Sequence, residues 1–240
     1  YIDGELVEAC AAAEEGQTLA DRIGDEFVSR HCRWSLSLAE LLKGDLAAGL
    51  ARLDALIADA DAAHDMLRWA NSQLSLGFGL MYTGDWIAAR SAVDELRKLA
   101  AELGPVHQAL AESGIAATSL AAGDIDEAAV ADGAARLLLA GLPVTAAVAI
   151  ASPAAEICFA RGDVVAARQL ADAAVIRAPG CFRTRELTTR ARVAIAQGDL
   201  GLADRDLHTA LGFAARGGTI MDVPNTLECL AYLTHLRGSH

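Results

Sequence analysis

The sequence lacks the motifs that mark common catalytic and metal-binding folds. It has no G-x-x-x-x-G-K-[ST] phosphate loop, and neither of its two lysines, Lys43 and Lys98, follows a glycine-rich stretch. An H-E-x-x-H pair, a Cys-x-x-Cys spacing and a G-x-S-x-G nucleophile elbow are also absent. We therefore expect a protein that is not an enzyme and that has no catalytic residues, cofactor or metal ion.

Cysteines, aromatic residues and long apolar runs are scarce. The five scattered cysteines favour free thiols in a reducing cytoplasm over a disulfide framework. No apolar run approaches the roughly 20 residues of a membrane helix, and no signal-peptide pattern opens the chain. Only 5% of residues are aromatic although 53% are hydrophobic, which favours many small contacts between helices.

Positive charge is also in short supply. The chain carries 20 Lys and Arg against 32 Asp and Glu, a net charge of −12. Affinity for DNA depends mainly on neutralising phosphates, so this balance argues against nucleic-acid binding by the segment. Arginine far outnumbers lysine, which together with the abundant alanine suggests a GC-rich bacterial genome.

A repeated glycine is the main feature that is present. The intervals between successive marks are 40, 40, 39, 39, 36 and 40 residues. The marks are Gly4-Glu5, Gly44-Asp45, Gly84-Asp85, Gly123-Asp124, Gly162-Asp163, Gly198-Asp199 and Gly238-Ser239. Self-similarity at such a period is typical of a helical solenoid.

Each Gly-Asp mark has the chemistry of a turn between two helices. Glycine can close a helix in the left-handed conformation, and the following aspartate can cap the next helix. Small residues recur five positions after and seven positions before the marks, where two helices of a hairpin must approach closely. They are Ala9, Gly49, Ala89, Ala128, Ala167 and Ala203, and Ser37, Gly77, Ala116, Ala155, Ala191 and Ala231.

The second turn of each period is expected to be looser. Prolines at positions 105, 143, 179 and 224 fall there and can open the next helix. Pro153 falls inside a predicted helix ending near Arg161 and should kink it or split off its first turn. On the outer side of the hairpins we expect Arg136 to be exposed and tolerant of substitution.

These patterns predict an all-α fold of about a dozen helices in antiparallel pairs. We expect one right-handed superhelical α-solenoid over residues 1–240, with repeats of 36–40 residues and no sheet. Because the chain starts within one period and ends where another helix should begin, we expect it to be a fragment of a longer multidomain protein.

The Gly-Asp-x-x-x-Ala pattern resembles tetratricopeptide repeats over nearly the whole chain, with longer periods and fewer aromatics. The segments LAELLKGDLAAGLARLDAL, ICFARGDVVAARQLADAA and LECLAYLTHLRGSH resemble the helical-repeat region of large ATP-dependent, MalT-like transcriptional regulators of the LuxR type. The resemblance implies a cytoplasmic signalling module between an ATPase and a helix-turn-helix, which receives an inducer or partner protein. It transfers no catalytic residue.

Two sets of residues are candidates for binding. Between Arg177 and Arg192 the chain carries five arginines and the single Glu186, and Arg185 and Arg192 share one helical face. They could dock an anionic ligand or an acidic partner. Alternatively, they pair with acidic residues of adjacent repeats such as Glu156, Asp199 and Glu228.

The second set follows from the inner face of tetratricopeptide repeats, here 10, 6 and 3 residues before each glycine. These offsets predict a face that is apolar in the N-terminal half and polar in the C-terminal half. Trp34, Phe78 and Met81 are its apolar candidates, and Tyr232 belongs to its polar part. An apolar stripe at this spacing is also what a helix buries in a core.

Two functions fit these observations. The first is a sensor or interaction module of a bacterial transcriptional regulator, binding an inducer or partner on its concave face without contacting nucleic acid or membrane. The second is a free-standing adaptor that binds a peptide or protein and has no link to transcription. Either protein could form a homo-oligomer, and coding sequence on both sides of the segment would separate the two.

Overall fold

The computed structural model describes residues 6–140, 153–178 and 180–238, and the regular secondary structure in these ranges is entirely α-helical. The chain divides into two compact units. We call residues 7–150 the N-terminal unit, and residues 1–6 with 151–240 the C-terminal unit.

The N-terminal unit holds seven described helices, counting α1 although its first residue belongs to the other unit. They are α1 (Leu6–Ile23), α2 (Glu26–Leu42), α3 (Leu46–Ala62), α4 (Met66–Thr83), α5 (Trp86–Leu103), α6 (Pro105–Ala121) and α7 (Ile125–Leu139). The described part of the C-terminal unit adds α8 (Ala154–Ala160), α9 (Val164–Arg177), α10 (Gly180–Ala196), α11 (Leu200–Gly217) and α12 (Val223–Leu236).

Within each unit, helices pack in the order in which they occur along the chain, from α2 to α7 and from α8 to α12. The helix before each predicted Gly-Asp mark, which we call a first helix, also contacts the next first helix. These additional contacts join α2 to α4, α4 to α6, α8 to α10 and α10 to α12. The fold is the predicted all-α solenoid, while the continuity of the two units in one right-handed array stays a prediction.

The predicted hairpin turns are confirmed. The glycines at 44, 84, 123, 162 and 198 have φ between 76° and 86°, in the left-handed region that favours glycine. After each of them, an aspartate side chain accepts a hydrogen bond from the backbone N–H three residues on, at 2.9–3.2 Å. The repeated dipeptide thus ends one helix and caps the next.

The expectation of a looser second turn is wrong in the N-terminal unit. Gly24-Asp25 forms the same left-handed turn and aspartate cap, and so does His64-Asp65, whose histidine takes φ 54°. At Gly104 the φ is 95°, and Pro105 opens α6. A turn residue with positive φ therefore occurs every 19 or 20 residues from Gly24 to Gly123, after each helix rather than after each pair.

The prolines sit at helix starts, where their missing N–H costs no intrahelical bond. Pro105 is the first residue of α6 and Pro224 the second residue of α12. Pro153 occupies the N-cap position of α8, so the described helix begins just after it. The prolines at 143 and 179 lie outside the described residues.

Small residues hold the hairpins together. Ala89, Ala128, Ala167 and Ala203 are completely buried, as are Ser37, Ala116 and Ala191 from the facing helices. At Gly77 an added Cβ would lie 3.2 Å from the Ala89 carbonyl oxygen, and at Gly49 one would lie 3.1 Å from the Ser37 carbonyl oxygen. The backbones approach so closely that a larger side chain must displace a helix.

Arginine clasps add electrostatic contacts between helices. The Arg90 guanidinium on α5 donates two hydrogen bonds to the Glu127 carboxylate on α7, at 2.6 and 2.8 Å. It also donates to Ser119 on α6 at 3.0 Å and to Asp94 at 3.1 Å. Hydrogen bonds from Arg90, then from Ser119, lower the pKa of Glu127 to about 2.

Arg136 is exposed as expected, but it is not a neutral position. Its guanidinium lies 2.8 Å from the Asp132 carboxylate, whose side chain is only 3% exposed. Removing the cation would leave a buried carboxylate without this partner, which is costly. Arg136→Leu is therefore unsuitable as a control for substitutions on the packed face.

We expect Ala128→Leu to lower the free energy of unfolding by about 1–3 kcal/mol, because the larger side chain overpacks the α6–α7 contact. Ala51→Leu on α3 makes the same chemical change at an exposed position and should cost less than about 0.5 kcal/mol. Urea denaturation followed by circular dichroism compares them. Equal midpoints would place Ala128 outside the packed face.

The left-handed conformation of His64 predicts a stabilising substitution. His64→Gly should raise the free energy of unfolding by about 0.5–1 kcal/mol, because a side chain is strained at this φ. The reverse change, Gly84→His, should lower it by a similar amount, since an added Cβ at Gly84 meets no neighbouring atom and only the backbone term changes. A urea midpoint that falls in His64→Gly would argue against strain at this turn.

The Arg90 clasp predicts a pH-dependent stability. Glu127→Gln should lower the melting temperature at neutral pH, because the folded pKa of Glu127 lies near 2, below its ordinary 4.5. The contribution is complete above about pH 4.5 and is lost as the pH falls through about 2, so the difference from wild type should shrink over that range. Glu102→Gln, at an exposed position of α5 with no ion pair among the described residues, is the control. A difference that stays constant from pH 7 to pH 2 would contradict this assignment.

Candidate functional site

Trp34 lies on α2, and Phe78 and Met81 lie on α4, the adjacent first helix of the N-terminal unit. From α2, the Trp34 indole N–H donates to the Ser75 hydroxyl at 3.0 Å and approaches the Asn71 carbonyl oxygen at 3.3 Å, both on α4. Phe78 follows Ser75 by one turn. All three candidates are partly exposed, so they line a surface and also contribute to packing.

Polar groups missed by the sequence reasoning border this strip. The buried Arg68 guanidinium lies over the Trp34 ring at 5.3 Å, and the His31 ring lies 5.8 Å from it. Burial, and next the charge of Arg68, lower the pKa of His31. Three offsets per helix were too few to find these residues. His31 lies three residues before Trp34 on the same helical face, which was an available signal, whereas Arg68 comes from the neighbouring first helix and has no such spacing to Trp34.

The same offsets also assign Leu41, three residues before Gly44, and Thr188, ten residues before Gly198, to the inner face, and both assignments are wrong. Leu41 is completely buried, and its side chain fills the space beside Gly49 and Gly79. Thr188 is buried between first helices, where its hydroxyl lies 2.8 Å from that of Thr226. Both residues belong to the packing of the solenoid and not to a binding face.

In the C-terminal unit, Arg185 and Arg192 lie on α10 and Tyr232 lies on the neighbouring α12. The Thr188–Thr226 contact joins these two helices, and Thr189 donates to the Glu156 carboxylate of α8 at 2.8 Å. Arg192 and Tyr232 are exposed, whereas Arg185 is partly buried. Burial raises the pKa of Cys229 on α12, and the positive charge of nearby Arg192 opposes that shift.

Most of the predicted arginine cluster is engaged within the protein. Arg190 donates two hydrogen bonds of 2.7 Å to Asp206 and contacts Asp172 at 3.3 Å. Both acids belong to neighbouring helices, in line with the alternative that the arginines pair within the protein. They are not, however, the three acidic partners that were named from the sequence. Contacts such as these tie α9, α10 and α11 together.

The other arginines of the cluster differ in how far their guanidinium groups are engaged by residues of the protein. Arg185 lies 3.0 Å from Glu186, and Arg183 donates to the Val175 carbonyl oxygen at 3.1 Å. Arg177 donates to a carbonyl oxygen of its own helix. Arg192 is exposed and makes no ion pair with a described residue. It is therefore the arginine of this cluster best placed to meet another molecule.

An open depression with a volume of about 490 Å³ lies on α5, α6 and α7. Alanines and leucines line it, and the Arg97–Glu112 ion pair of 2.8 Å lies at its border. None of the candidate residues named from the sequence belongs to it. None of the titratable side chains that line the depression has a nucleophilic side chain beside it among the described residues. Its open shape and its alanine and leucine lining suit contact with the apolar surface of another molecule.

The described residues lack the features of a metal site and of a membrane-spanning helix. Within them, no three or more His, Cys, Asp or Glu side chains are grouped so as to hold a metal ion. None of their helices combines the length and the apolar character that crossing a membrane requires. All five cysteines are free thiols.

Comparison with known proteins gives one consistent result. No protein-family model matches the chain. Over 241 aligned residues it is 38% identical to proteins of Mycobacterium bovis and of two strains of Mycobacterium tuberculosis, each named "Putative HTH-type transcriptional regulator". The alignment covers all of this chain but 27% of each of those proteins, so the chain spans about a quarter of the length of the curated relatives it matches.

Proposed function

We propose that this chain is a non-catalytic sensor or interaction module of a bacterial transcriptional regulator. The observation that carries the proposal is the 38% identity along its entire length to a segment of proteins named as HTH-type regulators. A segment of that size without DNA-binding or catalytic motifs suits the receiving part of such a protein. The comparison favours this function over a free-standing adaptor.

The finer assignment to MalT-like regulators of the LuxR type belongs to the same proposal. It is supported by the Gly-Asp repeats and by the segments that resemble the helical-repeat region of those proteins. In that arrangement an ATPase and a helix-turn-helix flank the segment and supply the activities for which it has no motif. Five free thiols fit the reducing cytoplasm in which such a regulator works.

We place the binding face on the first helices. Their contacts with each other, such as Trp34 with Ser75 and Thr188 with Thr226, make a connected surface within each unit. The hairpin contacts use small residues of both helices. The first helices combine their contacts with one another with partly exposed side chains such as Trp34 and Phe78.

The two units offer different chemistry to a ligand. In the N-terminal unit the face carries Trp34, Phe78 and Met81, which suit an apolar group of an inducer or a partner helix. In the C-terminal unit Arg192 and Tyr232 are exposed and suit a carboxylate or phosphate group.

We expect the isolated chain to capture a partner through Arg192. Arg192→Glu should weaken capture from a lysate of the source bacterium, and high salt should weaken wild-type capture, because the contact is an exposed charge pair. Arg205→Glu is the matched control, since Arg205 is also exposed and lies on the second helix α11. Mass spectrometry of the captured proteins provides the measurement. Arg185 is left unchanged because its loss would remove the partner of Glu186, whose side chain is 10% exposed.

The same preparation tests the remaining parts of the proposal. The chain alone should neither retard duplex DNA at physiological salt nor hydrolyse ATP. Equal capture by the Arg192 and Arg205 variants would move the contact to the strip of Trp34, Phe78 and Met81. Micromolar affinity of the isolated chain for duplex DNA would contradict a sensor module.

A further inference from the structure

Five large apolar side chains lie exposed at one end of the N-terminal unit. They are between 40% and 76% exposed. We call them the turn patch, because they surround the Gly24-Asp25 turn. The patch consists of Leu19, Ile23, Phe27, Val28 and Leu67.

The turn patch is continuous across three helix ends. Leu19 and Ile23 are one helical turn apart at the end of α1, and Phe27 and Val28 open α2 directly across the turn. A hydrogen bond of 3.0 Å from Arg30 to Asp65 brings the start of α4, with Leu67, beside the first turns of α2. Apolar side chains from α1, α2 and α4 therefore meet at one surface.

The area of this patch is large for a surface that faces water. Its side chains expose on the order of 400 Å² of apolar surface, within the range at which the largest patches on monomers tend to be functional. A standard interface buries about 800 Å² on each partner, of which roughly 60% is apolar. The apolar area of the turn patch is therefore about the apolar area that each partner contributes to one such interface.

Charges of both signs flank the apolar centre. Arg22 is exposed and makes no ion pair with any described residue. Glu26 has a side chain that is 83% exposed and reaches only Arg30, at 3.5 Å, which is already bound to Asp65. Two further acids lie beside the turn, but Asp21 accepts a hydrogen bond from the Ser29 hydroxyl at 2.6 Å and Asp25 caps α2. Arg22 and Glu26 are therefore the cation and the anion left for a partner on either side of Ile23, and a two-fold axis can place each opposite the other.

We propose that the turn patch is the interface of a two-fold symmetric dimer of this chain. Ile23 and Phe27 form its apolar centre, and Arg22 of one copy faces Glu26 of the other. Each copy carries a net charge of −12, so long-range repulsion opposes the dimer and salt screens that repulsion. Salt screens the attraction of the Arg22–Glu26 pairs as well, so the apolar centre holds the dimer together at both low and high salt.

Sedimentation velocity on the full 240-residue chain tests the dimer, from about 1 to about 100 µM protein and at about 0.05 and 0.5 M NaCl. Wild type should shift from monomer to dimer as its concentration rises, in both salts. Ile23→Glu should remain a monomer throughout. Ile87→Glu is the matched control, because Ile87 is 86% exposed on α5 outside the patch, and it should dimerise like wild type.

Charge reversal tests the pairing across the two-fold axis. Arg22→Glu and Glu26→Arg alone should each raise the dimer dissociation constant by about 3–10-fold, and the double variant should recover to within about twofold of wild type. Circular dichroism and melting temperature verify that every variant is folded. A wild-type monomer at about 100 µM in both salts, dimers in Ile23→Glu, or no recovery in the double variant would each overturn the proposal. None of these outcomes bears on the regulator function, which does not depend on the dimer.

Discussion

The close approach of two helix backbones in each hairpin is the constraint on which the rest of the structure depends. At the turns of Gly44, Gly84, Gly123, Gly162 and Gly198 it requires a residue no larger than serine seven positions before the glycine and another no larger than alanine five positions after it. Because the contact itself uses little side-chain volume, each helix buries a modest apolar area. Stability has to come from many repeats of the same contact, and ion-pair clasps such as Arg90 with Glu127 supplement it.

That constraint also separates the two kinds of helix surface. Second helices pack through small residues on the first helices that precede and follow them. Their outward side chains are largely exposed to solvent. First helices contact each other as well, through longer side chains such as Trp34 and Thr188. A face that must both pack on its neighbours and remain partly open is suited to binding, because its side chains are held in place before a ligand arrives.

The sequence was sufficient to predict the turns and the hairpin contacts, because both depend on residue types that few others can replace. Positive φ requires glycine in most cases, and backbone contact requires a small side chain. The recurrence of a turn every 19 or 20 residues was missed because two of the intervening turns lack the Gly-Asp dipeptide. His64 replaces the glycine at one of them, and Pro105 replaces the aspartate at the other. The partners of Arg190 and the stacking of Arg68 on Trp34 were also beyond prediction, since they depend on the rotation of each helix about its axis. Of the candidate site, the positions of Trp34, Phe78 and Met81 on adjacent helices followed from periodicity, and the polar groups around them did not.

The equal spacing of turns in the N-terminal unit has a consequence for how such a chain can change length. A duplication of one helix with its turn would keep every N-cap and every residue with positive φ in place. It would, however, exchange the roles of first and second helices in the part of the chain that follows the duplication. Small residues would then face water and exposed side chains would be forced into backbone contacts. A duplication of two helices preserves both roles. Helices can therefore be gained or lost only in pairs, that is as whole repeats, if every first helix and every second helix is to keep its packed and exposed faces.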